Sequence, residues 1–476
     1  MDDRQGVTVD AYRALSLAGC AALLVLLSLV GLGCNDGGNG DGASPGGTAE
    51  RPSPRSDPRS ARFELTVGDL VPLSGELKPF GPPGRKAADL AIEEAEEALK
   101  DAGARGVRVN VEHEDTGTDP QGSVAAARRL SDGGASCLAG AWASTDTIPA
   151  AQAVAATQRK PMISPASTSA QITTLVDEGY LFRTAPSNNL QGETLADVVE
   201  DELKGTDKKI AVAARNDAYG QGLANSFRRA WEAKGGEVSG PVLYDPAEDD
   251  FKADAERIVA DDPDGYMIAD FPDTYARMGE ALVATGNFDA GKLFVTDGLA
   301  GEGLSADIPD EALEGARGTR PGTLEEGEAA EAFDRLYTRS DLRPEDRQTF
   351  DAQNFDATML CVLAAVAAGS NQGEAIQGKL RDVSAPPGKK ITLENLDEGI
   401  EALRQGQDID YEGASGSIDF DAQGDPTVGT YEVFEYGPGR EFAVERQVQA
   451  EQGRGATDIT DIAEEDSAGE SGGSSP

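Results

Sequence analysis

Ser144 and Thr145 follow the apolar run SCLAGAW, and a second hydroxyl-bearing loop, Ser164-Pro165-Ala166-Ser167-Thr168, follows the run KPMI. Each loop sets a hydroxyl and backbone N–H groups where a strand gives way to a helix, and helix N-termini favour anions. Two such loops, if they converge, suit a carboxylate. Asp297 closes the run KLFVTD just before Gly298, an acid at a strand tip that would pair with a free ammonium. Phe80, Tyr219 and Phe271 stand at other strand ends, where they would wall off an aliphatic group. Taken alone, each has a plainer reading: Ser144 as an ordinary N-cap, Asp297 as a turn residue or cap, the aromatics as core or cleft packing. Taken together they supply an anion site, a cation partner and an apolar wall, the three needs of an α-amino acid.

Catalytic constellations are not found. The chain has one histidine, His113, in the segment EHED, which reads as solvent-facing. The GxSxG match Gly469-Glu470-Ser471-Gly472-Gly473 falls in a Gly- and Ser-rich tail where no strand-to-helix elbow forms. No Cys/His cluster suits zinc and no GxxxxGK[ST] loop suits a nucleotide phosphate, so no enzyme activity, cofactor or metal is expected. The 85 acidic against 42 basic residues give a formal charge of -43, which argues against nucleic acid and fits a solvated acidic surface. Cys137 and Cys361 fall in a predicted core strand and helix and read as buried small hydrophobes, with a single bridge between them as the alternative.

The elements that must position these residues are legible as alternation. From about Arg62, short β-rich runs (FELTVGDLVPL, VRVNVEHED, SCLAGAW, KPMISP, KIAVAARND, DGYMIAD, KLFVTDG) alternate with helical patterns, which predicts an α/β fold with parallel sheets covered by helices. One predicted helix spans Gly84 to Ala102, with Ala87, Leu90, Ala91, Ala95 and Leu99 forming a buried stripe. Another starts at Asp119-Pro120, Asp as N-cap and Pro in the first turn, and stops near Asp132-Gly133-Gly134. Ligands in such sheets gather at the C-terminal ends of the strands, the positions named above. The length accommodates two lobes.

The ends read differently. Ala14 to Gly33 is an apolar export segment after Arg13, and Leu32-Gly33-Cys34 resembles a bacterial lipobox in which Cys34 takes a lipid. Its leucine is one residue closer to the cysteine than usual and the leader carries Asp2, Asp3 and Asp10, so an uncleaved membrane anchor is the alternative. Residues 34–61 form a Gly-, Pro- and Ser-rich tether and 448–476 an acidic tail, both predicted to be disordered.

Several stretches are similar to one family. VGDLVPLSGELKPFGPPGRKAADLAIEEAE, DTGTDPQGSVAAARRLSDGGASCLAGAWAST, KPMISPASTS, YLFRTAPSNNLQG and AYGQG together resemble the leucine/isoleucine/valine-type solute-binding proteins of ABC importers, across about Phe63 to Glu445. The resemblance implies two doubly wound parallel-sheet lobes joined by three crossovers, a type I periplasmic-binding-protein arrangement with ligand in the interlobe cleft. Lobe one would comprise 62–186 plus 321–428 and lobe two 187–320 plus 429–447, closing by hinge bending. It further implies that Ser144 and Thr168, with backbone groups of Ser144 and Ala166, hold the ligand carboxylate, and that Asp297 takes the ammonium. Phe80 and Phe271 would surround the ligand side chain, with Tyr219 in the hinge-side turn. A monomer outside the cytoplasm, lipid-anchored, would deliver a branched-chain or similar amino acid to a permease driven by a separate ATPase. Alternatives are an amide, urea or aromatic acid as ligand, which would not need Asp297, or a sensor informing a signalling partner.

Overall fold

The computed structural model describes residues 61–301, 307–323, 328–339, 347–451 and 455–458, all within one compact unit that begins at Arg55. The export segment, the tether with Cys34 and the GxSxG tail lie outside these residues.

Five strands, β1 (Phe63–Val71), β2 (Val107–Asp115), β3 (Cys137–Ala139), β4 (Met162–Ser164) and β5 (Leu181–Arg183), pair in parallel in the order β2-β1-β3-β4-β5. Two helices among those that connect them follow the predicted chemistry. Gly81–Asp101 buries Ala87, Leu90, Ala91, Ala95 and Leu99 as one stripe. Pro120–Gly133 is capped by Asp119, whose carboxylate accepts the Gly122 N–H at 2.6 Å, and ends on left-handed Gly134.

The second sheet starts with β6 (Lys209–Arg215), β7 (Glu237–Tyr244), β8 (Gly265–Ala269), β9 (Leu293–Val295) and β10 (Arg317–Pro321), again parallel. After a small three-stranded sheet of β11 (Lys389–Ile391), β12 (Ile409–Gly413) and β13 (Gly416–Ser417), the chain returns to the second sheet. There β14 (Val428–Tyr436), β15 (Phe442–Glu451) and β16 (Gly455–Asp458) extend it antiparallel, giving the order β16-β15-β14-β10-β9-β8-β6-β7. Ordered chain therefore continues past residue 447, where the acidic tail was expected to begin. The cause is pairing: β15 lies antiparallel to β14 as far as Glu451, with one register shift at Val433/Phe434, and backbone ladders do not need an apolar run to form.

The helix Asp351–Ala368 packs beneath the first sheet and is buried along sixteen consecutive residues, Asp351 to Val366. Two sequence expectations fail here. Cys137 in β3 and Cys361 in that helix are not free hydrophobes but a disulfide, because the helix crosses under the strand with the two Cα atoms 5.9 Å apart. Nor is His113 solvent-facing. The parallel register sets it opposite Asp69, and the helix Gly81–Asp101 covers it. Its Nδ1 lies 2.7 Å from Asp69 and its Nε2 3.0 Å from Asp89, with only 10% of the side chain exposed. Burial alone would lower the imidazole pKa, but the two carboxylates outweigh it and hold the ring at about 9.

Candidate functional site

The C-terminal ends of β1, β3, β4, β6, β8 and β9 contribute side chains to one cavity of about 20 Å³. Its lining includes Leu77, Phe80, Trp142, Ser144 and Ala166, which follow strands of the first sheet, with Phe350 against Trp142, and Tyr219, Phe271 and Asp297, which follow strands of the second. Six of the seven residues expected from sequence thus meet around one space. Thr168, the seventh, is not in the lining; it is buried two residues beyond Ala166.

Two hydroxyl-bearing loops build one side of the cavity. Ser144 is the first residue of a helix, Ser144–Ala150, with Ala143 rather than Ser144 in the cap position, so the ordinary N-cap reading is not realised. Its Oγ accepts the Ser169 N–H at 3.2 Å, which ties the two hydroxyl loops together. The Thr168 hydroxyl is buried and has no hydrogen-bond partner among the described residues, an arrangement proteins rarely leave unused. Arg183, which sequence reasoning passed over, anchors this loop. It is fully buried, donates to the carbonyls of Ser167 (3.2 Å) and Ser169 (2.9 Å), and is held by two 2.6 Å bonds to Asp425. The only hint was its place in YLFRTAPSNN, since Asp425 is 242 residues away.

Across the cavity, Asp297 opens a short 3-10 turn and is 3% exposed. Burial raises its carboxyl to about 6, offset by hydrogen bonds from Gln191 and Tyr219. The Tyr219 hydroxyl lies 3.2 Å from Asp297 Oδ1 and 2.8 Å from Thr296, while Gly298 N–H donates to it at 3.0 Å. Gly298 is required here, because a Cβ would sit 2.4 Å from the Asp270 carbonyl and 2.9 Å from that hydroxyl. The Tyr219 ring stacks on Phe271 at 5.0 Å, and Trp142 meets Phe350 edge-on at 6.4 Å. Trp142, Leu77 and Phe350 are further wall residues that strand-end reasoning did not name.

A polar clasp borders the cavity. Glu76, in the loop after β1, accepts from Arg215 of β6 at 2.7 Å and from the Thr274 hydroxyl at 2.6 Å, so one carboxylate joins the end of the first sheet to a strand of the second and to the helix Pro272–Ala284 that follows β8. Arg215 is also paired with Asp217 and lies 3.8 Å over the Phe271 ring. Asp146, two residues beyond Ser144, is buried with both oxygens unpartnered among the described residues; burial first, then Asp119, pushes it to about 8. Among the described residues no group of three or more His, Cys, Asp or Glu is placed to hold a metal.

Residues 64–440 match the model of a family described as periplasmic binding protein. The chain is similar to the chemotactic signal transduction system substrate-binding protein BasB of Halobacterium salinarum, 26% identical over 373 residues, 77% of this chain and 85% of the relative. It is also similar to the leucine-, isoleucine-, valine-, threonine- and alanine-binding protein of Pseudomonas aeruginosa, 26% identical over 369 residues, 77% of this chain and 88% of the relative. Among solved structures, the substrate-binding protein LivJ of a Streptococcus pneumoniae branched-chain amino acid transporter, in complex with isoleucine, matches with a TM-score of 0.64 at 20% identity. That match covers 83% of this chain and all of the neighbour.

Proposed function

This chain belongs to the periplasmic binding protein family, and from that premise we propose that it is an extracytoplasmic solute-binding protein that captures a small amino acid and delivers it to a membrane importer. Family and fold are those of solute-binding proteins of the leucine/isoleucine/valine type. In this reading lobe one comprises 62–186 and 321–428, and lobe two 187–320 and 429 onward through β16. Ser144, the backbone at Ala166 and the Thr168 hydroxyl hold the carboxylate, while Asp297 takes the ammonium. Phe80, Tyr219 and Phe271 enclose the side chain. Cys34 carries the lipid that keeps the protein at the outer face of the cytoplasmic membrane, a permease with its ATPase is the partner, and the protein acts as a monomer without catalysing a reaction.

One observation carries this reading above the rest: a buried acid, Asp297, faces two hydroxyl-bearing strand-end loops across a single aromatic-walled cavity. A thermal-shift screen of the purified protein against amino acids, amides, urea and aromatic acids tests it, because a ligand that binds only the folded form raises the melting temperature. Amino acids alone should shift it. A shift with aromatic acids or urea and none with any amino acid would overturn the ligand assignment.

The similarity to BasB favours a second reading, in which the same loaded form informs a signalling partner rather than a permease. Deleting the gene and measuring uptake against taxis toward the ligand identified in the screen separates the two. Lost uptake supports delivery, and lost taxis with normal uptake supports sensing.

A further inference from the structure

One residue of the cavity wall carries a hydrogen-bond donor that the amino acid reading has not used. Trp142 lines it, is 2% exposed, and its indole N–H has no acceptor among the described residues. A buried indole N–H almost always finds a partner, because water has been stripped from it and nothing else offsets the loss. Nor is the ring free to turn toward one. A Cβ added at Gly84 would fall 2.2 Å from Cζ2 and 2.5 Å from Cη2, so the backbone of the helix Gly81–Asp101 lies flush against the outer edge of the indole. Phe350 meets it edge-on as well.

The other polar groups of the lining are committed. The Tyr219 hydroxyl is engaged with Thr296, Asp297 and Gly298, and Ser144 Oγ takes the Ser169 N–H. Under the proposed function Ser144 and Asp297 also serve the two charged ends of the ligand. The remaining lining is apolar: Leu77, Phe80, Ala143, Ala166, Phe271 and Phe350. A ligand with a purely hydrocarbon side chain would leave the Trp142 indole N–H buried and unpaired.

We infer that Trp142 is a specificity-determining residue whose indole N–H donates to a hydrogen-bond acceptor on the ligand's side chain, so that the favoured amino acid carries a side-chain oxygen rather than a plain hydrocarbon. This rests on the amino acid reading of the same site and narrows it. A site built to donate a buried hydrogen bond discriminates strongly against an isostere that lacks the acceptor, whereas an apolar wall discriminates weakly between similar shapes.

Two near-isosteric pairs make the test: glutamine with methionine, and asparagine with leucine. Titration calorimetry of the wild-type protein should show tighter binding of the amide member in at least one pair. Trp142→Phe should cut that preference at least tenfold. A wild-type preference for methionine and leucine would overturn the inference. So would a Trp142→Phe loss that falls equally on both members of a pair, which would put the N–H on the shared carboxylate.

A second measurement needs no variant. The chain holds two tryptophans, Trp142 and Trp231, so protein labelled at the indole nitrogen gives two indole signals. The Trp142 signal should move downfield with the amide ligand and not with its apolar counterpart, and identical shifts would overturn the inference. Absence of binding by any amino acid would instead bring down the proposed function, and this inference with it.

Discussion

The pH dependence of ligand affinity follows from the burial of Asp297. Its carboxyl, raised to about 6 by desolvation, is ionised at pH 7 and protonated at pH 4 in the ligand-free protein. A bound ammonium favours the ionised form, so the bound-state value lies below the free one. Affinity is therefore full above about pH 6 and is lost as pH falls through it, because the acid must release a proton before it can pair. Each unit below the free value costs about tenfold, or about 1.4 kcal/mol, so at pH 4 the loss approaches 100-fold, about 2.7 kcal/mol. Isothermal titration calorimetry between pH 4 and 8, repeated in buffers of different ionisation enthalpy, should record release of one proton per ligand below pH 5. Circular dichroism at each pH checks that the protein stays folded. The Asp297→Asn variant should bind at least tenfold more weakly at pH 7 and lose the pH dependence. Constant wild-type affinity from pH 4 to 8, or unchanged affinity in the variant, would refute the pairing.

Three further expectations follow from groups around the site. His113 is the chain's one histidine, so a proton NMR titration gives a single imidazole response, expected near 9; a midpoint near 6.5 would show that the Asp69 and Asp89 contacts do not form. The same shift contributes stability that is complete below pH 6.5 and lost as pH rises toward 9, at most about 3 kcal/mol, readable from urea unfolding at the two limits. Glu76→Gln loosens the clasp to Arg215 and Thr274, so ligand affinity should drop about 5- to 30-fold while small-angle scattering reports a wider ligand-free particle; an unchanged affinity and radius would deny the clasp a part in closure. Replacing Cys137 and Cys361 by alanine opens a cross-link between positions 224 residues apart, worth about 5 kcal/mol at most by chain entropy, and should lower the melting temperature by several degrees, with no change taken as evidence against the bridge.

Local chemistry was legible in the sequence and long-range chemistry was not. The bounds of β2, the Asp119 cap and the stripe of the helix Gly81–Asp101 depend on neighbours within a few residues, and these emerged from pattern alone. Strand ends follow once the strands are known, which is why Ser144, Ala166, Asp297 and three aromatics could be gathered before their distances were. β5, β7 and every strand from β10 to β16 were passed over; β5, β11 and β13 are only two or three residues long, and the burial of β7 is partial, a weak signal for period-two reasoning. The bridge between Cys137 and Cys361, the Arg183 pair with Asp425 and the seat of His113 each join positions from 24 to 242 residues apart, and no spacing rule predicts such partners.

A cavity of about 20 Å³ holds roughly one water molecule, far less than an amino acid needs. The aromatic walls must therefore separate by several ångströms for a ligand to enter, and they come from both sheets: Phe80 and Trp142 follow strands of the first, Tyr219 and Phe271 strands of the second. What resists separation is identifiable as the Glu76 clasp and the aromatic contacts around the cavity. Under the proposed function a ligand must match those contacts in the loaded form, where its carboxylate would meet the unpartnered Thr168 hydroxyl and its ammonium the Asp297 carboxylate. Measured affinity is then the clasped, loaded form set against the whole ligand-free ensemble, open and closed, rather than the sum of the ligand's own contacts. Substitutions that weaken the clasp should consequently raise the opening rate already in the ligand-free protein, whereas substitutions that remove a ligand contact should raise it only after ligand has bound.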